Sequence, residues 1–375
     1  MCDSTSDRLA FQLPLFDFRK TMNPYYNERE RAFCDVLSCL RALLSPEESA
    51  YLFRSPSVGR KGYTGFQILG CVLLKSYLRL STARGVLDAL RDGPDWRLIL
   101  GLGDDVPSEG CYSKRVSELE HRIDMSAIHG RLASAFFDGR LVCNLSVDST
   151  PVDACEKPFK KPKKEKKKRG RKAKGSAEEA EYRERARAED ELKELRDHGD
   201  ERKYLGTLEK RCTVTGKRNS KGNMDWRIGY KAHLAVDDNG IPVAYAVTGA
   251  CVNDMKPAIP LLRMADRRCS YLYVLMDAGY WSEEIAGCAR GLGKVPVIDA
   301  RADRNGDKPE MDPAKRLRYQ ARTTVERTNS ELKLCFLPDR LRSRGYKARL
   351  DIEAAILLLS MKRMRMVLER ERKAA

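Results

Sequence analysis

Between Tyr319 and Lys333 the chain reads YQARTTVERTNSELK. This spacing of a phenol, two cations and an acid is the first feature that could do chemistry. On a helix turning 100° per residue, Tyr319, Arg322, Glu326 and Lys333 fall inside an arc of about 60°. Val325, Leu332 and Phe336 fall on the adjoining arc, an apolar stripe for docking on a core. A carboxylate that holds a metal beside a phosphodiester, with cations gripping the flanking phosphates, needs such a grouping. A solvated helix face with an Arg322–Glu326 pair at i,i+4 would carry the same residues, so the rest of the chain has to decide.

Two aspartates are candidates to join Glu326. LVCNLSVDST, residues 141–150, alternates Leu141, Cys143, Leu145 and Val147 as a strand does and delivers Asp148 at its end. SYLYVLMDAGY, residues 270–280, reads as a short buried strand over 271–276 that ends in Asp277. With those strands side by side, both aspartates share one end of a sheet, and a helix over 319–334 can bring Glu326 to them. Asp153 lies past the expected strand end, so Asp148 is preferred. Each aspartate alone reads as an ordinary strand-end turn residue. Together the three carboxylates form an oxygen-only set suited to hard cations such as Mg²⁺. Two such ions, about 3.5–4 Å apart, can activate a water or a 3′-hydroxyl and stabilise the leaving oxygen in phosphoryl transfer.

The elements that must position these residues follow from periodicity. The first 60 residues read as an irregular lead-in and then a helix over 28–44. Thr64 can cap the next helix, with Ile68, Leu69, Val72 and Leu73 on its broad apolar face. Ser81 or Thr82 can cap another, which Gly93-Pro94 ends. GCYSKRVSELEHRI, residues 110–123, displays Ser113, Lys114 and Arg115 early and buries Val116, Leu119 and Ile123. Residues 61–135 thus suit a helical DNA-binding unit of the helix-turn-helix kind, with Lys114 and Arg115 on the DNA; a bundle that only packs would read the same way. From residue 140 the order is strand, insertion, strand, strand, helix, strand, helix, strand, helix. Asn239-Gly240 joins two of the strands as a hairpin. Order is expected to resume at Trp226, and a basic loop over 301–318 leads to the helix of Glu326. This predicts an α/β fold: a mixed sheet flanked by helices over 140–366, preceded by an all-α domain.

Residues 155–225 interrupt that domain with KPFKKPKKEKKKRGRKAKG and then mixed Glu and Arg. The first part is too rich in lysine to fold. It is either a non-specific DNA contact or a solvated spacer. The chain has 375 residues, 33% of them charged, and a net charge of +17, so it should seek polyanions, nucleic acid first. No apolar run approaches the roughly 20 residues of a bilayer span, and the N-terminus lacks the pattern of a signal peptide. A soluble, cytoplasmic protein with no membrane partner is expected. The 12 cysteines form no Cys-x-x-Cys pair and suit reduced, packed thiols.

These motifs resemble those of the DDE transposases of bacterial insertion sequences, in the group marked by Tyr-x2-Arg-x3-Glu-x6-Lys. Tyr319, Arg322, Glu326 and Lys333 match that signature without a gap. Asp148 in VDST resembles the family's first aspartate, and Asp277 in MDAGY its second. WRIGYKAHLAVDDNGIPVAYAVTGACVND is similar to the family's second and third strands, and the N-terminal helices to its helical N-terminal domain. The resemblance spans roughly residues 60 to 365. It implies a ribonuclease H-like fold, Mg²⁺ or Mn²⁺ held by Asp148, Asp277 and Glu326, and contacts from Tyr319, Arg322 and Lys333 to double-stranded DNA. It also implies cleavage and strand transfer at terminal inverted repeats, by at least a homodimer on DNA. The best-known members carry a large insertion between the second aspartate and the glutamate; here that interval is short and the bulk lies at 155–225. The same site would serve a host-adopted nuclease without strand transfer, and a decayed one a DNA-binding regulator.

Overall fold

The structure, a computed structural model, describes residues 26–54, 62–159, 190–197, 199–218, 223–300 and 309–374. Most of the lysine-rich run, the lead-in before Tyr26 and the start of the basic loop at 301–308 lie outside the described residues. The chain opens with helices whose starts are written in the sequence. Helix α1 (Glu28–Leu43), α2 (Pro46–Leu52) and α3 (Gly65–Tyr77) each begin with a reciprocal capping box. Asn27 pairs with Glu30, Ser45 with Glu48 and Thr64 with Gln67, each pair satisfying two backbone donors. Thr82, not Ser81, caps α4 (Ala83–Asp92). Pro94 opens α5 (Pro94–Leu100), which Gly101 ends in the left-handed region. Ser108 caps α6 (Glu109–Glu118) and Asp124 caps α7 (Met125–Phe137).

A mixed sheet follows: β1 (Leu141–Asp153), β2 (Thr213–Arg218), β3 (Met224–Val236), β4 (Pro242–Gly249), β5 (Ser270–Met276) and β6 (Val295–Ile298). Residues 190–197 are helical and α8 (Glu201–Thr207) precedes β2; α9 (Ala258–Asp266) and α10 (Glu283–Gly291) separate the later strands. The order across the sheet is β2-β3-β1-β5-β6, with β4 also paired to β3. β3 runs antiparallel to β1, β2 and β4, whereas β1, β5 and β6 are parallel. Antiparallel strands first, then parallel strands joined through helices, form the expected ribonuclease H-like α/β arrangement. The helices after β6 are α11 (Pro313–Tyr319), α12 (Thr323–Glu331) and α13 (Tyr346–Ala374).

Three expectations change. First, β1 does not stop at Asp148. It stays paired with β3 through Asp153↔Gly229, so Asp148 sits mid-strand and Asp153 at the strand's end. Pro151 is tolerated inside this strand although proline breaks most ladders. Ala154 N–H bonds to the Ile228 carbonyl, so by alternation the Pro151 nitrogen faces away from β3, where pairing with β5 has already ended. Second, regular structure resumes with the helical residues 190–197 and α8, and the sheet with β2 at Thr213, all before Trp226. Third, the helix of Glu326 begins upstream: Asp312 accepts from the Ala314 and Lys315 N–H groups and Pro313 takes the first turn. A tighter turn at Gln320–Arg322 and a wider one at Leu332–Phe336 interrupt it.

One continuous core runs from Phe33 to Leu368. Its spine is α13, whose first half is apolar and buried from Ala348 to Leu359 apart from a few positions such as Glu353. It packs on α3 and α7 of the helical bundle and on β4 of the sheet. Buried polar contacts fix its register. Lys75 on α3 reaches Asp351 at 2.6 Å and Ser343 Oγ at 2.6 Å, and His129 Nε2 lies 3.0 Å from Ser360 Oγ. Removing one partner of a buried pair strands the other charge, so Lys75→Met should cost about 3–5 kcal/mol. Lys75→Met with Asp351→Leu should recover most of that in urea unfolding, and equal losses in the single and double variants would refute the pairing.

Candidate active site

The parallel register of β1 and β5 builds the site. Val147 is level with Met276, so the next residues, Asp148 and Asp277, emerge together. Asp277 is held where β5 ends: its Oδ1 accepts from the Gly279 N–H at 2.9 Å and caps a short turn over Ala278–Tyr280. Asp148 Oδ2 accepts from Asn329 Nδ2 at 3.0 Å. Burial pushes the Asp148 carboxyl up to about 6; the Ser149 N–H and the Arg322 guanidinium oppose the rise, and the charges of Asp277 and Asp254 add to it.

Val325, Leu332 and Phe336 are all buried, so the stripe expected on the helix docks it against β1 and β3. That docking turns Arg322 toward both aspartates, whose charges it feels along with those of Glu326 and Tyr319. Its guanidinium carbon lies 5.7 Å from the Tyr319 ring centre. Lys333 is half-buried near Asp153, Asp148 and Arg227; burial, then Arg227, lower its pKa. The signature residues thus do gather, though the interruptions at 320–322 and 332–336 replace the straight helical arc first expected.

Glu326 behaves differently. It is ion-paired with Arg322 and its side chain is 52% exposed. Among the described residues no three His, Cys, Asp or Glu side chains stand close enough to hold a metal ion. Asp148 and Asp277 do fit a hard cation: both offer oxygen, Asp148 does so from a desolvated place, and the neighbouring Asn329 Oδ1 is buried with no hydrogen-bond partner among the described residues. Glu326 fits only by leaving Arg322.

Lys114 and Arg115 lie elsewhere, on α6 of the helical bundle. Lys114 is exposed. Arg115 pairs with Glu118 at 2.6 Å and donates to the Tyr63 carbonyl at 2.9 Å. The structure does not bring either to the acidic residues.

Sequence reading missed a polar layer on the other side of β1. Lys231 Nζ donates to Asp254 Oδ1 at 2.8 Å and to the Val252 carbonyl at 2.9 Å. His233 Nε2 lies 2.8 Å from Thr248 Oγ1, and its Nδ1 is 3.8 Å from Asp254. Ser149, opposite His233, also bonds Asp254. The only signal for this layer was two polar residues, Lys231 and His233, two apart on a buried strand. Asn329 had a clearer one, since it stands three residues after Glu326 and so one helical turn on.

Comparison with known proteins agrees with this architecture. Residues 198–361 match the family described as the transposase DDE domain, a stretch that takes in Asp277 and Glu326 and leaves Asp148 outside. That stretch of the chain is similar to the DDE domain of transposases. The chain is 33% identical over 143 residues to a Burkholderia cepacia protein named as a candidate transposase for insertion sequence element IS402. That alignment covers 36% of this chain and 61% of the relative, so the chain spans about three fifths of the length of the curated relative it matches. No solved structure matches. Among the described residues no helix is long and apolar enough to cross a membrane, and the cysteines are free thiols.

Burial pushes the His233 pKa down to about 4, with Asp254 opposing and Lys231 adding. Between pH 6.5 and 4 the unfolded chain takes up a proton that the folded chain refuses, so stability is lost as pH falls through this window. His233→Gln should remove about 2–3 kcal/mol of acid dependence between pH 7.5 and 4.5. Equal acid slopes for variant and wild type in urea unfolding would rule this out.

Proposed function

We propose that the protein cleaves DNA at the ends of its own element and joins the freed 3′-hydroxyl to a target strand, as a homodimer that bridges two ends. The observation that carries this reading is the Val147↔Met276 rung of β1 and β5, with Asp148 and Asp277 the next residue on each strand and Arg322 close enough to feel both charges. Tyr319 and Lys333 flank that pair, and a strongly basic chain surrounds it. In the first step a water oxygen attacks phosphorus and the 3′-oxygen leaves as a free 3′-hydroxyl; in the second that hydroxyl gives up its proton, its oxygen attacks a target phosphorus, and the target strand's own 3′-oxygen leaves. Both transition states gather negative charge on the phosphate oxygens, so catalysis is mostly positioning and charge stabilisation.

Each residue then has a task. Arg322 and Lys333 grip phosphate oxygens, Arg322 with a planar fork and Lys333 as a point charge. Tyr319 orients the Arg322 guanidinium. Asp148 and Asp277 would hold Mg²⁺ or Mn²⁺, and Glu326 completes the set once phosphate has drawn Arg322 away. Bound there, the cations would activate the attacking oxygen and stabilise the leaving one.

Asp277→Asn should lower cleavage of inverted-repeat DNA by roughly 10³-fold or more, about 4 kcal/mol of barrier, and leave end binding within about twofold. Retained cleavage would remove Asp277 from the site. Cleavage without joined products from pre-cut ends would make the protein a nuclease, not a transposase.

A further inference from the structure

Beyond Gly229 the sheet narrows to a ribbon. The inner half of β3 lies between β1 and β4, but from Gly229 outward its partner on the outer edge is β2, from Thr213↔Gly229 to Arg218↔Met224. Gly229 has φ +156, and a Cβ there would run into the Val152 carbonyl. The backbones pass too closely at this point for any side chain.

One face of the ribbon carries an aromatic left largely open by the described residues. Trp226 is 65% exposed, with Met224 at 44% and Val214 at 38% on the same face. Gly216 stands directly opposite Trp226. A Cβ on Gly216 would come within 2.8 Å of the indole Cζ3 and 2.7 Å of the Met224 methyl. The indole therefore packs against bare glycine backbone, with most of the residue turned to solvent. A flat, backed, open aromatic face is what an unpaired base stacks on.

Charge selects the occupant. Arg218 shares the face of Trp226, and Lys217 and Arg227 stand on the opposite face with Asp225, so the two strands together carry three cations against one acid. A second copy would set like charge against like charge, whereas a DNA strand would neutralise it. The ribbon also joins the acidic site without a break. Arg227 lies 3.8 Å from Asp153 at the end of β1, and Lys333 senses both of them together with Asp148. Trp226 stands eight residues along β3 from Leu234, the partner of Asp148. At about 3.4 Å per residue that is roughly 27 Å, about eight nucleotides of a strand.

We propose that the β2–β3 ribbon is a second DNA contact and that Trp226 stacks on an unpaired base about eight nucleotides from the cleavage point. This rests on the proposed function for the identity of the polyanion, but its test needs binding only. The full chain is titrated with a duplex bearing a ten-nucleotide single-stranded tail and with the blunt duplex. Indole fluorescence and the anisotropy of a labelled end are read together. In the wild type the tail should quench fluorescence. Trp226→Ala should weaken tail binding roughly tenfold, leave blunt-duplex binding and the melting temperature unchanged, and abolish that quenching. Trp226→Phe should bind the tail almost as the wild type does. Gly216→Val should act like Trp226→Ala by lifting the ring off its support.

Unchanged tail affinity in Trp226→Ala would overturn the stacking site and leave the proposed function standing. A dimer in DNA-free solution that Trp226→Ala breaks apart would give this face to a second copy instead. No binding of either duplex by the wild type would overturn the proposed function, and the ribbon's role with it.

Discussion

Two carboxylates set one residue beyond a shared rung of a parallel strand pair repel each other, and much of the surrounding structure answers that repulsion. Asp148 and Asp277 cannot move apart, because the Val147↔Met276 register fixes them. The low-dielectric surroundings that raise the Asp148 pKa also strengthen any attraction to a cation nearby. Arg322 supplies that cation from outside the sheet. On the far side of β1, Lys231 neutralises Asp254, a third acid whose charge would otherwise press harder on Asp148. Asn329 adds one hydrogen bond without adding charge. The acids are thus tolerated with Arg322 and Lys333 as counter-charges.

Such a balance needs a rigid platform. The buried stripe of Val325, Leu332 and Phe336 anchors the helix that carries Arg322 and Asn329. That helix runs through the wide turn at Leu332–Phe336 onto α13 and α3, and α13 is pinned in turn by Lys75–Asp351 and His129–Ser360. The helical bundle is therefore part of what holds the acidic residues. A substitution in α3 can reach the site through one continuous core without touching it.

Much of this was legible in the sequence because it rests on local rules. Capping boxes mark helix starts, alternation marks strands, and Asn239-Gly240 marks the hairpin between β3 and β4. Asp148 and Asp277 could be paired from strand order alone. What stayed hidden depends on partners distant in the chain. Whether β1 continued past Asp148 was decided by its pairing with β3 out to Gly229, which no local pattern records. The pairing of β2 with the outer half of β3 could not be read either, because Gly216 and Asn223-Met224 look like loop residues until the two strands meet. The Lys231–Asp254–His233 layer looked like ordinary buried alternation with two polar exceptions, since its charges cancel only in three dimensions.

The Arg322–Glu326 pair joins the two readings with which the signature began. The pair is solvated on its Glu326 side, which is 52% exposed, and covered on its Arg322 side; a fully exposed i,i+4 pair is worth roughly 0.3–0.5 kcal/mol. That small value matters for the chemistry. A phosphate offers Arg322 a bidentate, charge-assisted partner, stronger than a single exposed carboxylate contact, so substrate can take the guanidinium at almost no cost. Glu326 is then left unpaired on the same side of the helix as the aspartates. An ordinary surface ion pair is thus compatible with a catalytic glutamate held in reserve, because its weakness lets substrate decide which partner each side chain keeps.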